Sequence, residues 1–221
     1  MGTPDRVMLF DVDGTLVDSN DAHARAWIET LSTFGIERDV AAARRLIGMG
    51  GDKLLPVLTG IAADSDLGRE ITKQRSGHFR RTYRDGLRPF RDTRALFLAL
   101  RERGVRLGVA TSSDEEDLQR LLEVAQVADL VERRASADDA DRSKPDPDIV
   151  HAALARLGHP RHARVSMVGD TPYDIEAARK AGITAIGFRC GGWSDGELAG
   201  AADVFDNPAD MLAHLERALA A

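Results

Sequence analysis

Two aspartates separated by one residue, in Phe10-Asp11-Val12-Asp13-Gly14-Thr15-Leu16, stand where a short apolar run ends. Side chains of an extended chain alternate, so Asp11 and Asp13 project to one side while Val12 points away. Gly14 lets the backbone turn sharply and leaves room for a ligand. Asp-x-Asp-Gly also opens calcium loops, but those need a glycine at the sixth position and a glutamate at the twelfth. Counted from Asp11, these positions hold Leu16 and Ala22. Two carboxylates facing one pocket remain, and they suit a nucleophile with an acid/base partner.

Three more stretches offer parts for the same chemistry. Ala110-Thr111-Ser112-Ser113 precedes a helix expected to start near Asp114. Its hydroxyls and free backbone amides can cradle a phosphate, or serve only as a helix cap. Ser143-Lys144-Pro145-Asp146-Pro147-Asp148 holds a lysine on a proline-rich turn. Val168-Gly169-Asp170-Thr171-Pro172-Tyr173-Asp174 ends an apolar run on one carboxylate and puts another in the first turn of a helix. Asp11, Asp13, Asp170 and Asp174 in one pocket would repel by roughly 4 kcal/mol per pair at ~4 Å and an effective dielectric of 20. Such a pocket calls for a cation, and all-oxygen ligands without a His or Cys cluster favour Mg2+ over zinc. Metal, carboxylate nucleophile, acid/base carboxylate, hydroxyl and lysine together suit phosphoryl transfer, with Asp11 attacking phosphorus and Asp13 moving the proton.

Positioning these residues requires a sheet. Val7 to Phe10, Val105 to Ala110, Arg164 to Val168, Thr184 to Phe188 and Asp203 to Phe205 read as buried parallel strands, with a weaker one at Leu130 to Arg133. Helices are predicted at Asp114 to Ala125, Pro147 to Leu157, Pro172 to Ala181 and, closing the chain, Pro208 to Leu219. The alternation predicts an α/β fold with a doubly wound, Rossmann-like parallel sheet, whose ligands bind at the carboxyl ends of the strands. From Asn20 to about Asp85 the pattern is helical instead, with helices expected at Ala22 to Phe34, Val40 to Ile47, Asp52 to Leu58 and Leu67 to Tyr83. The division that follows is a core of residues 1–18 and 87–221 with a helical cap, residues 19–86, inserted after the first strand.

Bulk composition restricts the partners. Among 221 residues, 30 Lys+Arg against 36 Asp+Glu give a net charge of −6, which argues against nucleic acid or an anionic membrane surface. The opening residues run from Met1 directly into the first apolar stretch, and no stretch is long enough to span a bilayer. The lone Cys190 excludes an intrachain disulfide and fits a reducing compartment, so a cytoplasmic protein acting on a small phosphorylated metabolite is expected. The sequence leaves monomer or homodimer undetermined.

At the four motifs the sequence resembles the haloacid dehalogenase superfamily, specifically its phosphoglycolate phosphatase-like branch with a helical cap. The resemblance spans nearly the whole chain, with the motifs in family order. It implies Asp11 as nucleophile and magnesium ligand, and Asp13 as acid/base with its backbone carbonyl on magnesium. It further implies Thr111 on the phosphate, Lys144 orienting nucleophile and phosphate, and Asp170 and Asp174 supporting the metal. Ser112 and the cap loop Gly48-Met49-Gly50-Gly51-Asp52-Lys53 are then expected at the substrate. In that loop Gly50 and Lys53 are the candidates; Lys53 either meets an anionic substrate tail or is a surface lysine. His23 lies twelve residues after Asp11, where sugar-phosphate mutases of this branch carry a cap histidine, and it could equally pack a helix. Pro89-Phe90-Arg91-Asp92 replaces a proline-glycine turn common in relatives. Asp13 argues against the dehalogenase and phosphonate-cleaving branches. The mutases remain the alternative, as does, from another class, a receiver-like module phosphorylated on aspartate.

Overall fold

The computed structural model describes residues 6–158 and 164–221. Residues 1–5, where the chain was read as running straight into the first strand, lie outside the described residues.

β1 (Arg6–Phe10) is apolar without interruption from Val7 to Phe10, so side chains that alternate in direction give each face of the strand its own core. Met8 and Phe10 enter a cluster with Leu96, Phe97, Leu107 and Leu118, while Val7 and Leu9 enter another with Val150, Ala153, Met167 and Ala177. Phe10 and Phe97 meet with ring centroids 4.7 Å apart; truncating either to alanine should cost about 3–5 kcal/mol. A strand buried on both faces belongs at the centre of a sheet. β1 pairs in parallel with β4 (Val105–Ala110) and with β6 (Arg164–Gly169). Beyond them β5 (Arg133–Ala135) adds to β4, and β7 (Thr184–Phe188) and β8 (Asp203–Phe205) follow β6, again in parallel. The order β5-β4-β1-β6-β7-β8 makes β1 the point where successive connections depart in opposite directions, and ligand crevices open at such points.

Helices α5 (Thr93–Glu102) and α6 (Glu115–Val124) bury leucines in the first cluster, whereas α7 (Asp148–Arg156) and α8 (Pro172–Lys180) fill the second. This is the doubly wound α/β sheet that the sequence predicts. Two boundaries differ. The weak strand lies at Arg133–Ala135 rather than Leu130 to Arg133, because Leu130 is buried in the turn before it. The single closing helix is two, α9 (Pro208–Ala213) and α10 (Leu215–Ala220), broken at His214, whose ring turns back to the carbonyl and carboxylate of Asp210.

Between β1 and β4 the chain builds α1 (Asn20–Thr33), α2 (Val40–Arg44), α3 (Gly51–Thr59) and α4 (Asp66–Thr82). They enclose their own apolar cluster, including Trp27, Leu31, Leu54, Leu55 and Ile71. Two short strands join this layer to the core: β2 (Val17–Asp18) pairs antiparallel with β3 (Arg88–Pro89), so the outgoing and returning chains run side by side. Phe90 N–H bonds the Leu16 carbonyl at 3.0 Å just beyond that pair. No described helix is long and apolar enough to cross a membrane.

Candidate active site

Strand ends deliver the floor of the site. Asp11 follows β1, Asp170 follows β6, and Asp174 lies in the first turn of α8; one oxygen from each falls within 4.8 Å of the others. Lys144 comes from the loop before α7 and is fully buried, its Nζ donating to Asp11 Oδ1 at 2.6 Å and to Asp174 Oδ1 at 2.7 Å. The other oxygen of Asp174 is fixed by a capping box, accepting from Thr171 N–H at 3.0 Å and Thr171 Oγ1 at 2.7 Å. The local sequence that starts α8 thus also aims a carboxylate. Asp170 accepts from Thr15 Oγ1 and Asn20 Nδ2, both at 2.8 Å, and forms no ion pair among the described residues.

Three carboxylates with one lysine leave negative charge unbalanced. Burial pushes Asp170 up to about 7, with Asp174 adding to the rise. Burial likewise raises Asp11 well above the usual carboxylate range; Lys144 opposes this, while Asp174 and Asp170 reinforce it. Burial alone would lower Lys144, but Asp11 and Asp174 outweigh it and hold the ammonium charged. The Oδ1 of Asn20, buried beside Asp170, has no hydrogen-bond partner among the described residues. Oxygen donors, surplus charge and an orphaned carbonyl fit a hard divalent cation such as Mg2+.

Asp13 stands apart from that trio. Gly14 turns the chain with φ of +76°, and a Cβ there would lie 2.0 Å from Asn20 Nδ2 and 2.3 Å from Asp170 Oδ2, so only glycine fits. The Asp13 carboxylate accepts from Ser19 Oγ at 2.6 Å, Ser113 Oγ at 2.6 Å and His23 Nε2 at 2.7 Å. Ser19 precedes α1 without capping it, its hydroxyl being committed to Asp13. Burial favours the protonated acid, but the attraction and hydrogen bond of His23, with the two serines, hold Asp13 well below the usual carboxylate range.

The roof follows from helical periodicity. His23, Trp27 and Leu31 form one stripe of α1, and Ile71, Arg75 and Phe79 form one stripe of α4. Packed together, these stripes stack His23 on Phe79 with centroids 4.0 Å apart and lay the Arg75 guanidinium 5.2 Å over Trp27. Arg75 donates to His23 Nδ1. A guanidinium only donates, so Nδ1 is unprotonated and the ring proton sits on Nε2, directed at Asp13. Burial lowers Arg75 to about 10, which leaves it charged at neutral pH.

Floor and roof enclose a cavity of about 340 Å³ lined by Asp11, Asp13, His23, Arg75 and Thr111, among others. Thr111, buried at the end of β4, accepts Ser113 N–H at 3.2 Å. Ser112 and Gly50 also line the cavity; Ser112 reaches the Gly48 carbonyl at 3.4 Å, and a Cβ on Gly50 would lie 2.5 Å from Ser143. Lys53 is different. Its ammonium turns away to Asp146 at 2.7 Å and the Ser143 carbonyl at 2.5 Å, and it does not line the cavity. Two acceptors on the core loop hold it, so in this structure it ties the inserted helices to the core. Sequence reading gave no role to Arg75, Ser19, Thr15 or Asn20, and placed Ser113 among the phosphate-cradling hydroxyls rather than on Asp13. Thr15 and Ser113 lie inside the strand-end motifs, and Arg75 carried a signal of its own, a charged residue midway between Ile71 and Phe79 on a buried helical stripe.

An open parallel sheet with a carboxylate and lysine site at its switch point defines an α/β enzyme. A family model described as haloacid dehalogenase-like hydrolase matches residues 8–188. A phosphoglycolate phosphatase of Rhodospirillum rubrum is 32% identical over 216 residues, covering 93% of this chain and 89% of that protein. Among solved structures, a hydrolase from Pseudomonas syringae superposes with a TM-score of 0.87 at 28% identity, covering 97% of this chain and 99% of that one. CbbY from Rhodobacter sphaeroides, in complex with phosphate, gives a TM-score of 0.76 at 25% identity, covering 94% and 96%. The chain belongs to the haloacid dehalogenase-like hydrolase family.

Proposed function

We propose that this protein is a magnesium-dependent phosphatase that hydrolyses a small phosphate monoester through a phosphorylated Asp11. The observation that carries the reading is the placement of Asp11 at the cavity floor, in contact with Lys144 and beside Asp170 and Asp174. Asp11, Asp170 and Asp174 would hold Mg2+, which when bound offsets the charge of the phosphoryl group. Lys144 supplies a fixed positive charge against the nucleophile, so Asp11 needs no reorganisation to act. An Asp11 oxygen attacks phosphorus, the ester P–O bond breaks, and the departing alcohol oxygen takes a proton from Asp13. Asp13, then a carboxylate, accepts a proton from the water that cleaves the aspartyl phosphate, releasing phosphate and restoring both aspartates. The His23, Ser19 and Ser113 hydrogen bonds favour Asp13 as the carboxylate, the form required for the second half, whereas the first half needs it protonated, a form favoured once the negative phosphoryl group of the ester is bound beside it. Thr111, Ser112 and Gly50 lie where they can bind the ester. A soluble cytoplasmic setting and a small phosphorylated metabolite fit this chemistry.

The test is release of inorganic phosphate from an aryl phosphate with magnesium, abolished by chelator. Calcium should support it poorly, because its looser coordination misplaces nucleophile and phosphate. Undiminished turnover in excess chelator would remove the metal from the mechanism. One observation favours a second reading: His23 sits on Asp13, as a mutase would have it. That reading requires transfer to a second sugar hydroxyl, seen as an isomeric phosphate with little free phosphate.

A further inference from the structure

We propose that Arg75 recognises the alcohol part of the substrate and that this part carries an oxyanion, a carboxylate or a second phosphate, about two carbons from the ester oxygen. The inference deepens the phosphatase reading and rests on it. Arg75 lines the cavity from α4, its guanidinium 5.2 Å over the ring of Trp27 and 5.3 Å over that of Phe79. Only one terminal nitrogen is engaged, Nη2 donating to His23 Nδ1. Nη1 is accessible and has no hydrogen-bond partner among the described residues, and no carboxylate forms an ion pair with the group.

A guanidinium enclosed by aromatic rings and bonded only to a neutral imidazole is incomplete, because charges taken out of water are ordinarily met by a counter-charge. The cations around it are complete. Lys144 holds Asp11 and Asp174 at 2.6 and 2.7 Å, Arg80 on the same helix holds Asp114 and Asp117 at 2.6 and 3.0 Å, and Lys53 holds Asp146 at 2.7 Å. Of these four, Arg75 alone keeps its charge for a ligand. Its place sets the length of that ligand, since the His23 ring spans the gap from Arg75 to Asp13, with Nε2 meeting Asp13 Oδ1 at 2.7 Å. An alcohol whose oxygen takes its proton from Asp13 therefore reaches Nη1 with a tail of about two carbons. An oxyanion is the acceptor that a guanidinium binds best, and Thr72, one turn back on α4, brings a hydroxyl to the same wall. Asp52 and Asp141 also line the cavity, but both are exposed, so water and salt weaken their repulsion of such a tail more than the attraction of the enclosed Arg75.

The test uses the full chain with magnesium, an aryl phosphate, and three esters on one two-carbon frame: 2-hydroxyethyl phosphate, phosphoglycolate and ethanediol bisphosphate. The expected result is a kcat/KM for one or both anionic esters at least about tenfold above that for the neutral hydroxyethyl ester, with the gap narrowing as salt rises. Phosphoglycolate ahead identifies a carboxylate, and the bisphosphate ahead identifies a phosphate. Arg75→Met should bring the anionic-to-neutral ratio to within about twofold of unity. Both alkyl esters lose the His23 contact alike in that variant, so the ratio cancels it. Arg75→Gln, polar but uncharged, should do the same, which leaves a second variant to decide if the first does not fold. A neutral ester turned over as well as both anionic ones, or an anionic preference that survives loss of the guanidinium, overturns the inference alone. No turnover of any ester, the aryl phosphate included, overturns the phosphatase reading and this inference with it.

Discussion

Behind Asp11 at the cavity floor, fully buried Lys144 holds two buried carboxylates, whereas the roof, apart from the buried His23–Asp13 contact, reaches the core through pairs that water still touches. Lys53–Asp146 is roughly a quarter exposed on each side, Arg80–Asp114 is similar, and Arg45 lies 3.4 Å over the ring of Trp193 while pairing with Glu197 at the surface. Breaking one partner of a buried pair costs about 3–5 kcal/mol, and an exposed pair contributes about 0–1 kcal/mol. The contrast separates two tasks. On the phosphatase reading proposed above, groups that would meet phosphorus in a fixed geometry are locked by burial, and groups that would admit and release the ester are held by contacts weak enough to open.

The largest effect should come from the floor. Asp11→Asn should reduce turnover of every ester by on the order of 10⁴-fold or more, because an amide is a very poor nucleophile and no neighbour replaces it. Steady-state phosphate release from aryl and alkyl esters reads this directly. Equal residual rates in the variant and the parent would remove Asp11 from the chemistry. Asp13 is shared between floor and roof, so its loss should discriminate. Asp13→Asn should lower alkyl phosphate turnover by ~10²–10⁴-fold and aryl turnover less, since a phenolate leaves without a proton. Because the second half then stalls, a phosphorylated peptide containing Asp11 should accumulate and be visible by mass.

Arg75 tests whether the roof acts on chemistry. Arg75→Met keeps the apolar stem against Trp27 but removes the donor to His23 Nδ1. Loss of one charged hydrogen bond is worth about 1.5–3 kcal/mol, so alkyl ester turnover should drop about tenfold or more. Aryl esters should fall less. An identical fall for both would show that Arg75 shapes the cavity without acting through His23 and Asp13.

The floor was far more legible in the sequence than the roof, for a physical reason. Strand-end motifs are local: Asp11, Thr111, Lys144, Asp170 and Asp174 each announce themselves by an apolar run that stops, or by proline beside a helix start. The parallel sheet that brings them together follows from the same runs. Four cap helices were equally plain. Arg75 meeting His23 depends on how α1 packs against α4, and no single segment encodes that. The β2–β3 pair was invisible because two-residue strands have no period to read. The sequence left Lys53 open between substrate and surface because its partner Asp146 lies 93 residues away, and proximity in sequence to a substrate loop says nothing of where a long side chain turns.

The smallest effect should come from that lysine. Lys53→Ala removes two bonds that bind α3 to the loop carrying Lys144, yet touches nothing in the cavity. It should therefore lower turnover of all esters by the same factor, about two- to fivefold, leaving their ranking unchanged. A changed ranking with unchanged aryl turnover would return Lys53 to the substrate. The same tie should respond to acid. The hydrogen bond from Lys53 holds the Asp146 carboxyl below the ordinary carboxylate range, with the charges of Lys53, Arg142 and Lys180 adding to it. A depressed carboxylate contributes its stability above the unfolded value, about 3.9, and loses it as pH falls through the lower folded value. Between neutrality and about pH 5, hydrogen exchange in α3 should thus be insensitive to protonation of Asp146. Below about pH 4, α3 should open sooner in the parent protein and converge on the Lys53→Ala variant, whose protection has already lost the pair. The β1 amides, enclosed on both faces, should keep the same protection in parent and variant over that range, and a parallel loss there would mean that the tie supports the core as well as the cap.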